Sequence, residues 1–217
     1  MKTTLKALLA LSALLSFTAQ ADDLVMTSNL KPSKHTRDNW YIEFALYPGG
    51  EMHVDHDNSK YGKKVKADTR FGAQFGAGAT VNQNLLLGGE INSFVLMKET
   101  KHSAFSRTES SISNTNLMAV ATLFPWEEGF FFRGGLGFAA TSLEYKDKLL
   151  GIELKDTQSI NGYALAVGTG YAWWIGKTFN MSAKLDYNYS FYNNKKLFGD
   201  KINAVSYWSA GLGFHWF

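Results

Sequence analysis

Acyl-transfer or hydrolytic chemistry needs a histidine within reach of a serine and a carboxylate. The histidines of this chain are poorly placed for it. His215 lies in a segment of strand-like alternation, two residues from the C-terminus, while His53 and His102 fall in polar connecting segments with no matched serine and carboxylate. The serine nucleophile elbow is absent. No catalytic residue is assigned, and the chain is read as a non-enzyme. His53-Val54-Asp55-His56-Asp57 alternates imidazole and carboxylate donors that suit a divalent cation, but the spacing matches no defined motif. It reads as a solvated loop tip, and neither a metal site nor a cofactor is assigned. The glycine doublets Gly88-Gly89 and Gly134-Gly135 sit inside strand-like segments rather than in a phosphate-binding loop. The chain has no cysteine, which excludes disulfides, thiolate metal sites, a cysteine nucleophile and an acyl-cysteine anchor.

The charges that remain are organised by depth. Glu43, Arg70, Glu90, Arg133, Lys184 and Asp186 fall on the polar side of alternating segments, among glycine, serine, asparagine and threonine. Counted from the nearest short turn, Glu43, Glu90, Arg133, Lys184 and Asp186 share one level. Unpaired charge away from water is costly, so these five are expected to form a single ionic network. A second group, Lys60, Lys63, Lys64, Lys66, Lys195, Lys196 and Lys201, lies in the long connections, where it suits the phosphates of a lipid surface and equally an ordinary solvated rim. The formal net charge of +3 over 217 residues gives no basis for nucleic-acid binding.

The elements that position these groups are strands. Phe179, Met181, Ala183, Leu185, Tyr187, Tyr189 and Phe191 alternate with Asn180, Ser182, Lys184, Asp186, Asn188 and Ser190, a period of two that no helix fits. Seven further segments follow the same rule: residues 40–47, 66–81, 85–98, 112–124, 130–145, 158–173 and 204–217. Short turns (82–84, 125–129, 174–178) alternate with long polar connections (48–65, 99–111, 146–157, 193–203). That order predicts an all-β fold, an eight-stranded antiparallel up-and-down barrel with both chain ends on the short-turn side. The small polar face suits a crowded lumen, and the apolar face then meets lipid. Aromatics gather at two levels, as expected of a transmembrane barrel: Trp40, Trp126, Phe130, Phe131, Trp173, Trp174, Phe179 and Trp216 at one, Tyr47, Tyr145, Tyr189, Phe191, Tyr192 and Tyr207 at the other.

Residues 1–21 read as a secretory signal peptide, with Lys2 and Lys6 ahead of an apolar run and Ala19-Gln20-Ala21 at the cleavage site. Residues 22–39 form a periplasmic leader, and residues 40–217 the barrel. The apolar run is too short for a membrane-spanning helix.

The last residues, Gly211-Leu212-Gly213-Phe214-His215-Trp216-Phe217, resemble the terminal signal of bacterial outer-membrane proteins. With the alternating strands from Trp40 to Phe217, the chain resembles the small outer-membrane β-barrel domains of the OmpA transmembrane-domain, OmpX/Ail and OmpW groups. The resemblance implies location in the outer membrane of a Gram-negative bacterium, contact with its lipids and lipopolysaccharide, and recognition of Leu212, Phe214, Trp216 and Phe217 by the barrel-assembly machinery. It implies a monomer with a structural or interaction role exercised through long extracellular loops. The alternatives within the resemblance are an OmpW-like narrow channel for small solutes and a lipid A-modifying enzyme. A charge-plugged lumen favours the first role, a continuous apolar cavity the channel, and a His–Ser–carboxylate cluster at the outer rim the enzyme.

Overall fold

The computed structural model describes residues 37, 39–56, 63–64, 67–103, 106–126, 129–149, 152–197 and 200–217. The expected signal peptide, residues 1–21, and residues 22–36 and 38 of the expected leader lie outside these. Eight long strands form one antiparallel ring: β1 (Trp40–His56), β2 (Thr69–Asn82), β3 (Leu85–Ser103), β4 (Ser106–Leu123), β5 (Gly129–Leu149), β6 (Ile152–Trp174), β7 (Phe179–Leu197) and β8 (Asp200–Trp216). Each pairs with the next, and β1 closes on β8 from Ile42↔Trp216 to His56↔Ile202. Lys63 and Lys64 add a two-residue ladder to the far end of β1. The β2–β3 turn is tight because Asn82 Oδ1 accepts from the backbone N–H groups of Asn84 and Leu85, both at 2.9 Å.

The strands run 14–23 residues; all but β2 are longer than the alternating segments in the sequence suggested, and all exceed the ~9–11 needed to cross a bilayer. Most of the expected long loops are therefore strand. Residues 48–56 extend β1, so His53 is a strand residue, and His102 falls on β3. β5 and β6 stay paired as far as Leu149↔Ile152. The cause is a change in which face is apolar. Near the short turns the exposed face is apolar: Phe75, Ile91, Leu117, Leu136, Val167 and Leu185 point outward. Toward the far end the apolar side chains turn inward, with Met52, Val54, Leu96, Ile112, Ile160, Leu197, Ile202 and Val205 in one buried cluster. Charged residues then take the outer face, and such segments look like loops in sequence.

The aromatic levels also need correction. Trp40, Trp126, Phe130 and Trp216 are exposed at the short-turn end, and Tyr145, Phe191 and Trp208 at or above the other boundary. Phe131, Tyr47, Tyr192 and Tyr207 are instead buried and fill the lumen. The ring narrows inside to side-chain packing, as expected of eight strands.

Candidate functional site: a filled lumen

The ionic layer is built from alternate residues of five strands. Glu43 and Tyr47 come from β1, Gln74 from β2, Glu90 from β3, Arg133 from β5, and Lys184 and Asp186 from β7; all are buried. Arg133 Nη2 pairs with Glu90, and Arg133 Nη1 donates to Asp186 Oδ1 at 3.0 Å. Lys184 pairs with Glu43. Gln74 joins the two pairs: its Oε1 accepts from Lys184 Nζ (3.0 Å) and Arg133 Nη1 (3.2 Å), and its Nε2 donates to Glu43 Oε1 (2.9 Å). The Tyr47 hydroxyl lies against Gln74 Oε1 and donates to Asp186 Oδ2 at 2.6 Å. The structure thus brings Glu43, Glu90, Arg133, Lys184 and Asp186 into one assembly.

Tyr47 and Gln74 were missed by reading charges alone. Gln74 stands between Gly72 and Gly76 at inward parity, a long polar side chain where its strand leaves room. Tyr47 shares the parity of Glu43, which is the signal that places it inside. The space for the network depends on glycine. A Cβ at position 168 would lie 2.0 Å from Asp186 Oδ1, and one at 213 would lie 2.9 Å from Lys184 Cδ. Arg70 sits apart, half-exposed near the rim, 3.8 Å from Glu51, and donates to the Gly50 carbonyl at 3.3 Å.

Above the ions lies a layer of amides and hydroxyls. Asn92 donates to Glu90 Oε1 (2.7 Å), Asn116 to Asn92 Oδ1 (3.0 Å), and the Tyr207 hydroxyl to Asn92 Oδ1 (2.7 Å). Farther on, Asn114 Nδ2 donates to Thr141 and to the Tyr192 hydroxyl, both at 2.8 Å. The apolar cluster follows. A cavity beside Tyr47, Gln74, Arg133 and Asp186 offers ≈ 10 Å³ to the centre of a water molecule, room for about one water.

Below the ions the base is aromatic. Tyr41, Leu86, Phe124, Phe131 and Ala172 are buried together with Phe217 against them. The Arg37 guanidinium stacks on Phe124 at 3.7 Å from the ring centre and lies 5.5 Å from Trp174 and 5.7 Å from Phe217. Arg37 Nη1 donates to the Gln83 carbonyl at 2.7 Å. The terminal residues divide between two faces: Leu212 and Trp216 point outward, Phe214 stacks beside Phe179 on that side, and Phe217 turns into the base.

His215 is buried here, stacked on Phe217 and sharing a 3.0 Å hydrogen bond with Ser182 Oγ. Glu43 Oε1 lies 4.0 Å from the same Nε2 nitrogen. A catalytic triad needs the carboxylate on the other ring nitrogen and an open approach to the serine; this arrangement has neither. Among the described residues, no group of three or more histidine, aspartate or glutamate side chains could hold a metal ion. His53 and Asp55 are strand residues of β1, and Asp57 lies outside the described residues.

On the outer face of the far section, Glu144 accepts from Lys146 at 2.8 Å and Lys155 at 2.9 Å. Hydrogen bonds from these two ammonium groups lower its carboxyl pKa to about 2.

A closed antiparallel ring with a lipid-compatible waist, a polar filled lumen and short turns at the end where β1 begins and β8 ends is a transmembrane β-barrel. The chain belongs to the outer membrane protein beta-barrel domain family, whose model matches residues 7–215. Its place is the Gram-negative outer membrane, with the short turns toward the periplasm. By sequence alone, no curated protein matches the chain. Among solved structures it is similar to Ail, the attachment invasion locus protein of Yersinia pestis, in complex with the heparin analogue sucrose octasulfate. The TM-score is 0.52 and the identity 15%, over 83% of this chain and 100% of that one. Neisserial surface protein A is similar at a TM-score of 0.47 and 15% identity, over 82% of this chain and 96% of that one.

Proposed function

We propose that this protein is a closed, non-catalytic, monomeric barrel that acts at the cell surface through the section projecting beyond the outer leaflet, in a structural or interaction role. The observation that carries the reading is the continuous filling of the lumen. An aromatic base, an ionic layer, an amide layer and an apolar cluster succeed one another. Opening a path for solutes would require separating buried ion pairs and displacing hydrocarbon. Exposed Lys195 and Lys196 on the projecting section are suited to the phosphates of lipopolysaccharide. Leu212, Phe214 and Trp216, on the lipid side of β8, form the face suited to recognition by the barrel-assembly machinery, and Phe217 serves the base instead.

Refolded full-length protein in planar bilayers tests this reading. Little steady conductance is expected. A stable, sizeable conductance would overturn the closed barrel and put the narrow-channel reading first.

A further inference from the structure

We infer that the inner face of the projecting sheet is a docking surface, and that it takes up a basic segment of a protein from outside the cell through side-chain contacts. The inference rests on the surface role proposed above and names the chemistry of the partner.

The face exists because the strands end at unequal heights. β2 stays paired with β3 only as far as Thr69↔Met97, and β7 with β6 only as far as Tyr163↔Phe191. β3, β4, β5 and β6 remain paired to one another farther out, through Lys101↔Arg107, Ser106↔Leu149 and Leu149↔Ile152. Across the ring, Val54 of β1, Leu197 of β7 and Ile202 of β8 end in the buried apolar cluster. Four strands therefore rise above that cluster as a curved sheet.

Counting by two from residues packed in the cluster gives the positions on the inner side. Leu96 leads to Lys98, Ile112 to Ser110, Leu143 to Tyr145 and Asp147, and Ile160 outward to Asp156 and Leu154. Lys98, Tyr145, Asp147, Leu154 and Asp156 are all exposed, Leu154 at 69% and Tyr145 at 40%. A leucine so open within a strand marks a face made for contact rather than for packing within the chain.

The two sides of this sheet treat charge differently. On the outer side Glu144 is taken by Lys146 and Lys155 at 2.8 and 2.9 Å. On the inner side the charges stand apart. Tyr145 pairs in register with Asp156, and Asp147 with Leu154, so the two carboxylates are diagonal neighbours about 7 Å apart, with Tyr145 and Leu154 completing the square. Among the described residues neither carboxylate has an ion-pair partner. Lys98 lies at the other side of the sheet, reached through Ser110↔Tyr145 and Lys98↔Ser110.

This layout selects the occupant. Two carboxylates beside an aliphatic and an aromatic side chain suit a long basic residue, its head between the acids and its stem along Leu154 and the Tyr145 ring. Lys98 is three strand spacings from Asp156, about 14 Å, or about four residues of extended chain. The partner segment therefore carries an acidic residue about four positions from its basic one. A neutral glycan offers neither charge, and a polyanion is repelled by Asp147 and Asp156. Two copies in one membrane open their mouths in the same direction, which excludes a second copy.

The test uses full-length protein in phosphatidylcholine nanodiscs and a fluorescein-tagged peptide of leucine and serine that carries two lysines and, four residues on, a glutamate. Anisotropy is expected to show saturable binding that empty nanodiscs lack and that added salt weakens. Asp147→Asn with Asp156→Asn should weaken binding by about fivefold or more, the scale of two exposed ion pairs, while Glu144→Gln on the outer side should stay within about twofold. Leu154→Ser should weaken it by about threefold. If the double variant fails to show the heat-dependent gel shift of a folded barrel, the peptide with glutamine in place of lysine asks the same question of wild-type protein, and should bind at least fivefold more weakly. The inference is overturned by absence of saturable binding, by binding that the double variant leaves unchanged, by equal weakening in Glu144→Gln, or by undiminished binding of the lysine-free peptide. None of these outcomes alters the bilayer conductance, so failure here and failure of the closed-barrel reading are separable.

Discussion

The membrane-spanning section and the projecting section are made by the same eight strands with opposite radial chemistry. In the first, apolar residues such as Leu136 and Val167 face lipid while Arg133, Glu90 and Asp186 face one another inside. In the second, Leu96, Ile112, Ile160 and Ile202 face inward and Glu144, Lys146 and Lys155 face out. One strand can serve both because alternation fixes only that neighbours point to opposite sides; the solvent outside decides which side must be apolar. The inner section is held by directed polar contacts, the outer by hydrocarbon burial.

That contrast can be broken most severely at Arg133. Arg133→Ala strands Glu90 and Asp186 without their cation, and a loss of about 3–5 kcal/mol is expected, read by urea unfolding of the barrel in lipid vesicles. Adding Glu90→Gln and Asp186→Asn to the same chain should recover most of it, since the damage is uncompensated charge rather than lost volume. Failure of the triple variant to recover would show that the layer works through packing.

In the projecting section Leu96→Ala should cost about 2–3 kcal/mol, through a cavity that the rim can partly close. The sharper readout is location. Hydrogen exchange should quicken in the outer parts of β3, β4 and β6, while the amides around Arg133 stay protected. Equal quickening in both sections would make them one cooperative unit.

The smallest effect is expected at Glu144, which lies on the outer surface. Glu144→Gln should leave unfolding at neutral pH unchanged within error, because exposed ion pairs contribute little. The carboxyl pKa is depressed in the folded state, so its two lysine bonds are fully present above the ordinary carboxylate range and lost as pH falls through about 2. Its carbon resonance should titrate there, and Lys155→Ala should move that titration upward.

Much of this was legible in the sequence. Period two over eight segments, and short turns alternating with long connections, define the ring. Inward parity placed Glu43, Glu90, Arg133, Lys184 and Asp186 together because side-chain direction in a strand depends only on counting. Tyr47 escapes a count of charges because its hydroxyl is neutral, and its ring reads as part of the outer aromatic level although it shares the inward parity of Glu43. The projecting strands were hidden for a deeper reason. Segments such as 146–157 are dense in charge and poor in apolar alternation, because none of their described residues is packed into the buried cluster. The bulge in the outer part of β7 depends on two left-handed backbone conformations at Asn193 and Asn194, and the Asn-Asn pair by itself signals only an irregularity.

The aromatic base has a consequence for how the barrel is completed. The stack over Arg37 draws on Phe124 at the end of β4, Trp174 at the end of β6 and Phe217 at the last position of the chain, while Gln83 in the first tight turn holds its backbone and guanidinium. These contributions come from positions scattered between residues 37 and 217, and they meet once β8 has paired with β1. The clasp is thus available only to a ring whose final strand has met its first.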